Sequence, residues 1–306
     1  MGRLAMLQKC CRISTGIQVP IVCMVRNMEP LTRCFHRTSL KGLIRNIVRR
    51  HAARYAVDHS DGVIAVSEYV RDFLKRQWRV RANKVQVIYH GVDSGSTKPT
   101  QKPSWWNDSL HPFLFSAGSL VPYRGFEDII QAAADPQFAS MEIKFILAGD
   151  ENNDSDGYGR YLRTLILNAR LSNRVLMVGK LSSAEMAWCY RETKAFIATS
   201  RVEACPNTAL EALAFGCNLV SNDCPPYPEF FKRAALYYNP KRGPSLAVQI
   251  SRTLMQPSKE VNERKEAALT LADSFTWRRT ASRTLEFLQQ TLTHLQGIYP
   301  KTQYLK

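Results

Sequence analysis

Acidic residues are scarce in this 306-residue chain: 26 Asp+Glu stand against 42 Lys+Arg, a formal net charge of +16. Its eight cysteines contain no C-x-x-C pair and no regular spacing. That excludes a disulfide framework, and free thiols in a reducing, cytoplasmic compartment are expected. Cys10, Cys11 and His36 are too scattered for a zinc site. No apolar run approaches the roughly 20 residues of a membrane span. The longest near the N-terminus, Val19 to Val25, is interrupted by Pro20, and no small-residue cleavage site follows it. Internal repeats and low-complexity tracts are absent. With 45% hydrophobic and 22% charged residues, the chain is neither disordered nor collagen-like, and it is long enough for one large or two medium domains.

The charge is unevenly placed. Residues 1–60 hold eleven basic residues, opposed only by Glu29 and Asp58. Such a balance predicts an anionic partner: nucleic acid, an acidic membrane surface or a phosphorylated substrate. No helix-turn-helix, zinc-finger or RNA-recognition signature accompanies it, so nucleic acid is not expected.

Periodicity predicts a buried strand over Ile17–Val25 and a helix over Leu40–Tyr55. On that helix Leu40, Leu43, Ile44, Ile47, Val48 and Tyr55 share one face, and Lys41, Arg45 and Arg49 another. A strand over Asp61–Val66 leads to Ser67, placed as an N-cap before the periodic Val70, Phe73, Leu74 and Trp78. A third strand covers Val85–Tyr89. Residues 94–112, rich in Ser, Thr and Pro, read as a linker. Beyond them, strands at Phe113–Ala117, Ile143–Ala148, Arg174–Val178, Ala195–Thr199, Asn218–Ser221 and Ala235–Tyr238 alternate with helices. That alternation predicts an α/β fold with parallel sheets. Helices follow Pro244, one running from Ser274 to Leu295 with Trp277, Leu285, Leu288 and Leu292. Ligands of such sheets bind beyond the carboxyl ends of the strands.

Two segments lie at those ends. In S-A-G-S-L-V-P-Y-R-G-F (116–126), Gly118 permits close backbone approach and Arg124 adds a fixed cation, which suits a diphosphate. A tight βα turn with a solvated arginine fits the same residues. In S-R-V-E-A-C-P-N-T-A-L-E (200–211), Pro206 suits a first helical turn and Gly216 stops the helix. Glu203 then precedes the helix N-terminus, Glu211 lies within it, and the amides near Asn207 and Thr208 form an anion site. A capped helix with one solvated glutamate fits these residues too. Asp154 and Asp156 read as solvated turn residues.

The segment E-A-C-P-N-T-A-L-E-A-L-A-F-G-C-N-L-V-S resembles the E-x7-E region of retaining glycosyltransferases of family 4. H-G-V-D (90–93), the 116–126 turn, F-I-L-A-G-D (145–150), V-L-M-V-G-K-L (175–181) and S-F-T-W (274–277) resemble further family segments, in family order. The resemblance implies a GT-B architecture of two Rossmann-like domains: 1–97 on the acceptor side, 110–273 binding a nucleotide-sugar, and 274–306 as a helix returning to the first. The N-terminal domain is expected to be incomplete, because no strand, glycine-rich turn and helix precede Ile17–Arg26.

By the same resemblance, Glu203 and Arg124 carry catalysis. Gly118, Ser119, Arg124, Asn207, Thr208 and Glu211 bind the donor, with Glu211 on the ribose and the nucleobase against backbone near Met177 to Lys180. Arg26 and Asn27 face the acceptor. Ser119 stands where the family usually has arginine, and Arg124 where lysine is commoner. No metal and no cofactor is implied beyond a nucleoside-diphosphate sugar as donor substrate. The implied activity is transfer of a hexose to a saccharide or lipid-linked acceptor with retained configuration, in surface polysaccharide or lipopolysaccharide synthesis. The alternative is an inactive remnant or subunit that binds a nucleotide or a partner chain. The basic N-terminal helix fits docking on the acidic cytoplasmic membrane face, and equally a solvated or otherwise packed face.

Overall fold

The structure is a computed structural model describing residues 20–28, 40–95, 97–150, 157–239, 241 and 243–298. Within them the chain forms two parallel sheets. The first has the order β1-β2-β3: β1 Val22–Val25, β2 Gly62–Ala65 and β3 Val85–Val87. Parallel neighbours require crossovers, here α1 (Leu40–Asp58) and α2 (Glu68–Trp78). The Ser67 hydroxyl accepts from Val70 N and starts α2, which buries Val70, Leu74 and Trp78. Residues 17–19 of the expected first strand lie outside the described residues, as do Cys10, Cys11, His36, Asp154 and Asp156.

The second sheet is built from β4 (Phe113–Ala117), α3 (Phe126–Ala133), β5 (Lys144–Ala148), α4 (Tyr158–Asn168), β6 (Val175–Gly179), α5 (Ser183–Glu192), β7 (Ala195–Ala198), α6 (Asn207–Ala214), β8 (Leu219–Asn222), α7 (Tyr227–Phe231) and β9 (Ala235–Tyr238). Its order is β6-β5-β4-β7-β8-β9. This is the doubly wound, Rossmann-like order, which reverses between β4 and β7. Every residue of β4, β7 and β8 is buried, as strands covered by helices on both faces require. Helices α8 (Leu246–Met255), α9 (Ser258–Ala272) and α10 (Trp277–Ile298) complete the chain. The architecture is the α/β, two-sheet fold expected.

Two amphipathic faces differ from expectation. On α1, Ile44 and Val48 are 55% and 61% exposed, while Asn46, Ala56 and Val57 are buried. The cause is Trp78: the guanidinium groups of Arg50 and Arg54 stack over its ring at 5.9 and 5.5 Å, and Arg54 Nη1 donates to Trp78 O at 2.6 Å. The arginine stems, rather than the aliphatic stripe, therefore turn inward. On α10, Trp277, Leu285 and Leu288 are exposed, and Phe287, Thr291 and Leu295 form the buried row. Phe287 packs with Ile64 and Ile88, and a Cβ on Gly62 would lie 2.9 Å from its ring. Part of the expected linker is core: Trp106 and Leu110 are buried, with Trp106 against Phe113 and Trp188 at 4.9 and 4.8 Å. Pro206 is the cap residue of α6 rather than part of its first turn.

The chain crosses between the sheets twice, and the crossings touch. Val92 N donates to Phe275 O at 2.8 Å, and the Thr280 hydroxyl donates to Tyr89 O at 2.8 Å. A Cβ on Gly91 would lie 2.3 Å from Trp277 N, so only glycine fits there. Elsewhere, Glu229 of α7 accepts from Glu68 N and Tyr69 N, at 2.6 and 3.0 Å, at the N-terminus of α2. A carboxylate suits that positive helix end. Truncating Phe287 to alanine is expected to cost about 3 kcal/mol through lost burial and the cavity left behind. Urea unfolding measures it, with the loss confined to the transition of the first sheet if the two unfold separately.

Candidate active site

The β4–β7 pairing, Leu114↔Ala195 and Phe115↔Phe196, sets the loops after both strands side by side at the sheet reversal. Hydrogen bonds stitch them together. Arg201 N donates to Tyr123 O at 2.7 Å, and the Thr199 hydroxyl donates to Arg124 O at 2.7 Å. Asn222 Nδ2 donates to Thr199 O and Ser200 O at 2.8 and 2.7 Å. Gly125 makes the approach feasible: its φ is +68°, and a Cβ would stand 2.7 Å from Thr199 O.

Stitched in this way, the loops bring Arg124 Nη1 onto Glu203 Oε1 as an ion pair, with side chains only 22% and 10% exposed. Arg124 Nε is buried without a hydrogen-bond partner. A Cβ on Gly118 would lie 3.3 Å from it, so the glycine keeps open the space beside a spare N–H donor. Burial pushes the Glu203 carboxyl up, opposed by the Arg124 charge and a hydrogen bond from Ser200. Burial also works against the Arg124 charge, but Glu203, Tyr227 and Tyr123 together outweigh it and raise the guanidinium pKa. Tyr227, buried beside the pair, has its phenol pushed well up by burial and then by Glu203.

A second polar shell backs the loop. Arg201 bridges Glu127 at 3.1 Å and Asp128 at 2.7 Å. The Tyr238 hydroxyl donates to Asp128 at 3.0 Å, and the Tyr158 hydroxyl donates to Glu127 while accepting from Phe126 N at 2.9 Å. Burial raises the Asp128 carboxyl despite Arg201.

Helix α6 carries the remaining central residues. The Tyr190 hydroxyl lies 3.0 Å from Thr208 O and 3.1 Å from Glu211 Oε2. Asn207 Oδ1 is 3.2 Å from His90 Nδ1. A cavity of about 160 Å³ opens between Asn207, Glu211, Asp93 and Trp277. Gly118, Arg124 and Glu203 are thus brought together, and Asn207, Thr208 and Glu211 share α6. Ser119 is exposed after β4. Met177 and Lys180 lie at the end of β6, two strands from β4, where Gly149 N donates to Gly179 O at 2.8 Å. Arg26 and Asn27 are exposed beyond β1, on the other sheet. Among the described residues no group of three His, Cys, Asp or Glu is placed to hold a metal ion.

Comparison with known proteins bears on what this geometry belongs to. Residues 98–269 match the family model for glycosyl transferases group 1, and residues 4–95 match glycosyltransferase family 4. This chain is a member of the glycosyl transferases group 1. Among relatives, the alpha-D-kanosaminyltransferase of Streptomyces kanamyceticus is 23% identical over 82% of the chain and 65% of its own length. The O-antigen chain mannosyltransferase RfbU of Salmonella typhimurium is 22% identical over 64% of the chain and 52% of its own length. The chain spans between 42% and 65% of the curated relatives it matches. The Anabaena Alr3699/HepE structure in complex with UDP and glucose shares its fold, with a TM-score of 0.73 and 19% identity over 95% of this chain and 76% of that one.

Tyr190 and Tyr227 of this group 1 chain join the site without a sequence signal, whereas Ser200 and His90 stand at the heads of the 200–211 and 90–93 segments without being singled out there. Tyr190 sits on α5, and nothing in its spacing points to Glu211. His90 stands in the H-G-V-D segment, legible as a boundary but not as a neighbour of α6. Its five described cysteines are free, and burial pushes the Cys205 and Cys217 thiols up to about 12, which makes them unreactive. Burial lowers the His90 pKa below 6.5, opposed by Asn207 and aided by the Arg26 charge. A histidine lowered in this way binds protons better when unfolded, so its stability is present above the unfolded pKa and lost as pH falls through about 6.5. His90→Gln is expected to flatten the urea midpoint between pH 7.5 and pH 5 relative to wild type.

Proposed function

We propose that the chain is a retaining glycosyltransferase that moves a hexose from a nucleoside-diphosphate sugar to a saccharide or glycolipid acceptor, in surface polysaccharide or lipopolysaccharide synthesis. The observation that carries this reading is the pairing of Arg124 with Glu203 at the reversal of the second sheet. The leaving group is a nucleoside diphosphate, so charge develops on phosphate, and fixed cations and amide dipoles in a water-poor crevice stabilise it. Arg124, with its spare Nε–H beside Gly118, and the N-terminus of α6 at Asn207 and Thr208 supply them. Glu203 faces the transferred sugar, Glu211 the ribose, and backbone at Met177–Lys180 the base. The UDP and glucose in the HepE complex and the mannosyl transfer named for RfbU support a sugar-nucleotide donor and a saccharide acceptor.

The donor requires Arg124 to divide its guanidinium between Glu203 and the diphosphate. Burial already favours a protonated Glu203, and a phosphate beside Arg124 weakens the hold of the cation on the carboxylate. On the first sheet, the exposed Ile44, Ile47 and Val48 of α1, flanked by Arg45 and Arg49, favour an acidic membrane surface bearing the acceptor. The same exposed residues favour a second reading, a non-catalytic subunit whose α1 packs on a partner chain.

A panel of sugar nucleotides with crude lipid acceptors separates the readings. Glu203→Ala is expected to lower nucleoside diphosphate release by about a hundredfold. Arg124→Ala is expected to weaken donor binding by about tenfold or more. Release that is equal in wild type and Glu203→Ala, or absent with every donor, overturns transfer. For the membrane, sedimentation with phosphatidylglycerol vesicles is expected to fall on adding salt and on Val48→Glu.

A further inference from the structure

The two chain crossings enclose a cavity of about 170 Å³ that the proposed transfer does not use. Three cations line it: Lys232, in the turn between α7 and β9, and Arg279 and Arg283 on α10. Arg279 and Arg283 are four residues apart and therefore share a helix face. None of the three has a carboxylate partner among the described residues. The one acid in the lining, Glu229, is already engaged by Glu68 N and Tyr69 N. Lys232 also borders the neighbouring groove, whose Glu260, Glu263 and Glu266 do not pair with it. Thr276 Oγ1 accepts from Arg279 N at 3.2 Å, which leaves its O–H free to donate into the cavity.

Lys232 is also held in an unfavourable backbone conformation, φ +45° and ψ −124°. A glycine adopts that conformation without strain, so the turn itself does not call for a lysine. Among the described residues Arg279 Nη1 reaches only Ser274 O, at 3.5 Å, and three cations without a carboxylate partner in one recess repel one another, which a bound anion relieves. Two arginines from one helix face and a lysine from the α7–β9 turn in one lining suit a tetrahedral group with several free oxygens. The volume lies below the roughly 300–1,000 Å³ typical of drug-sized ligand pockets, so it fits a single headgroup rather than a nucleotide.

We propose that this cavity is a second anion site, which takes a phosphate group and ties the α7–β9 turn to the crossing helix α10. The lining includes His90, which also meets Asn207, but neither Arg124 nor Glu203, and the site does not depend on the chain being an active transferase. The phosphate is either free or the headgroup of a lipid, and the two sources are told apart by experiment. Inorganic phosphate titrated into the full chain, followed by calorimetry and thermal melting, is expected to bind saturably and raise the melting temperature. Lys232→Gly is expected to melt higher than wild type without phosphate, because it relaxes the backbone, yet to bind phosphate about tenfold more weakly. Arg283→Gln is expected to weaken binding similarly, whereas Arg124→Gln retains it. In the parallel arm, vesicles containing phosphatidic acid are sedimented with the same four proteins. Binding in either arm that is lost in Lys232→Gly and Arg283→Gln upholds the site and names its source. Binding in neither arm, equal binding by Lys232→Gly, Arg283→Gln and wild type, or loss in Arg124→Gln overturns it.

Discussion

The parallel contact between β4 and β7 is the constraint on which the rest depends. The two strands are about eighty residues apart in the chain, and between them the polypeptide builds one wing of the sheet and returns. Their junction is the one place where crossover helices depart in opposite directions, so the loops above it are not filled by a helix passing overhead. The Arg124–Glu203 pair stands on those two loops. The strands below them are buried throughout, which makes the floor of the site as rigid as the core.

On that floor the protein keeps opposite charges in low dielectric, where each costs much to desolvate and is tolerable only with its partner. Arg124 answers Glu203, and Arg201 answers Glu127 and Asp128. The two arginines belong to different loops and each pairs across to the other loop or its helix. The pairs therefore fix the relative position of the loops as well as neutralising charge. On the proposed reading, a diphosphate beside Arg124 would meet a cation whose geometry is already set, so little ordering would remain on binding.

Local chemistry made much of this legible from residues alone. The Phe113–Ala117 and Ala235–Tyr238 strands have the expected limits, because continuous apolar runs bounded by polar turns leave little choice. Ser67 and Gly216 mark helix ends, since one accepts a backbone N–H and the other takes φ +69°. The glutamates at 203 and 211 and the arginine at 124 were readable as a set from motif order. Tyr190 and His90 were not, because they reach α6 only through the folding of other elements. The phase of α1 is not legible in the sequence for a related reason. An amphipathic stripe states which residues are apolar, but the partner decides which side is covered, and Trp78 recruits arginines.

The grip of Glu229 on the first turn of α2 has a consequence for motion. Ser67 already caps that helix through Val70 N, so the helix keeps its own start whether or not Glu229 is present. The bonds that Glu229 accepts are part-buried and join α7 of the second sheet to α2 of the first. Hydrogen bonds to a charged group contribute about 1.5–3 kcal/mol each, comparable with seating a core side chain. Glu229 lines the same recess as Tyr89, Phe275 and Thr280 of the touching crossings, so its bonds and theirs brace one region and resist parting of the halves there together.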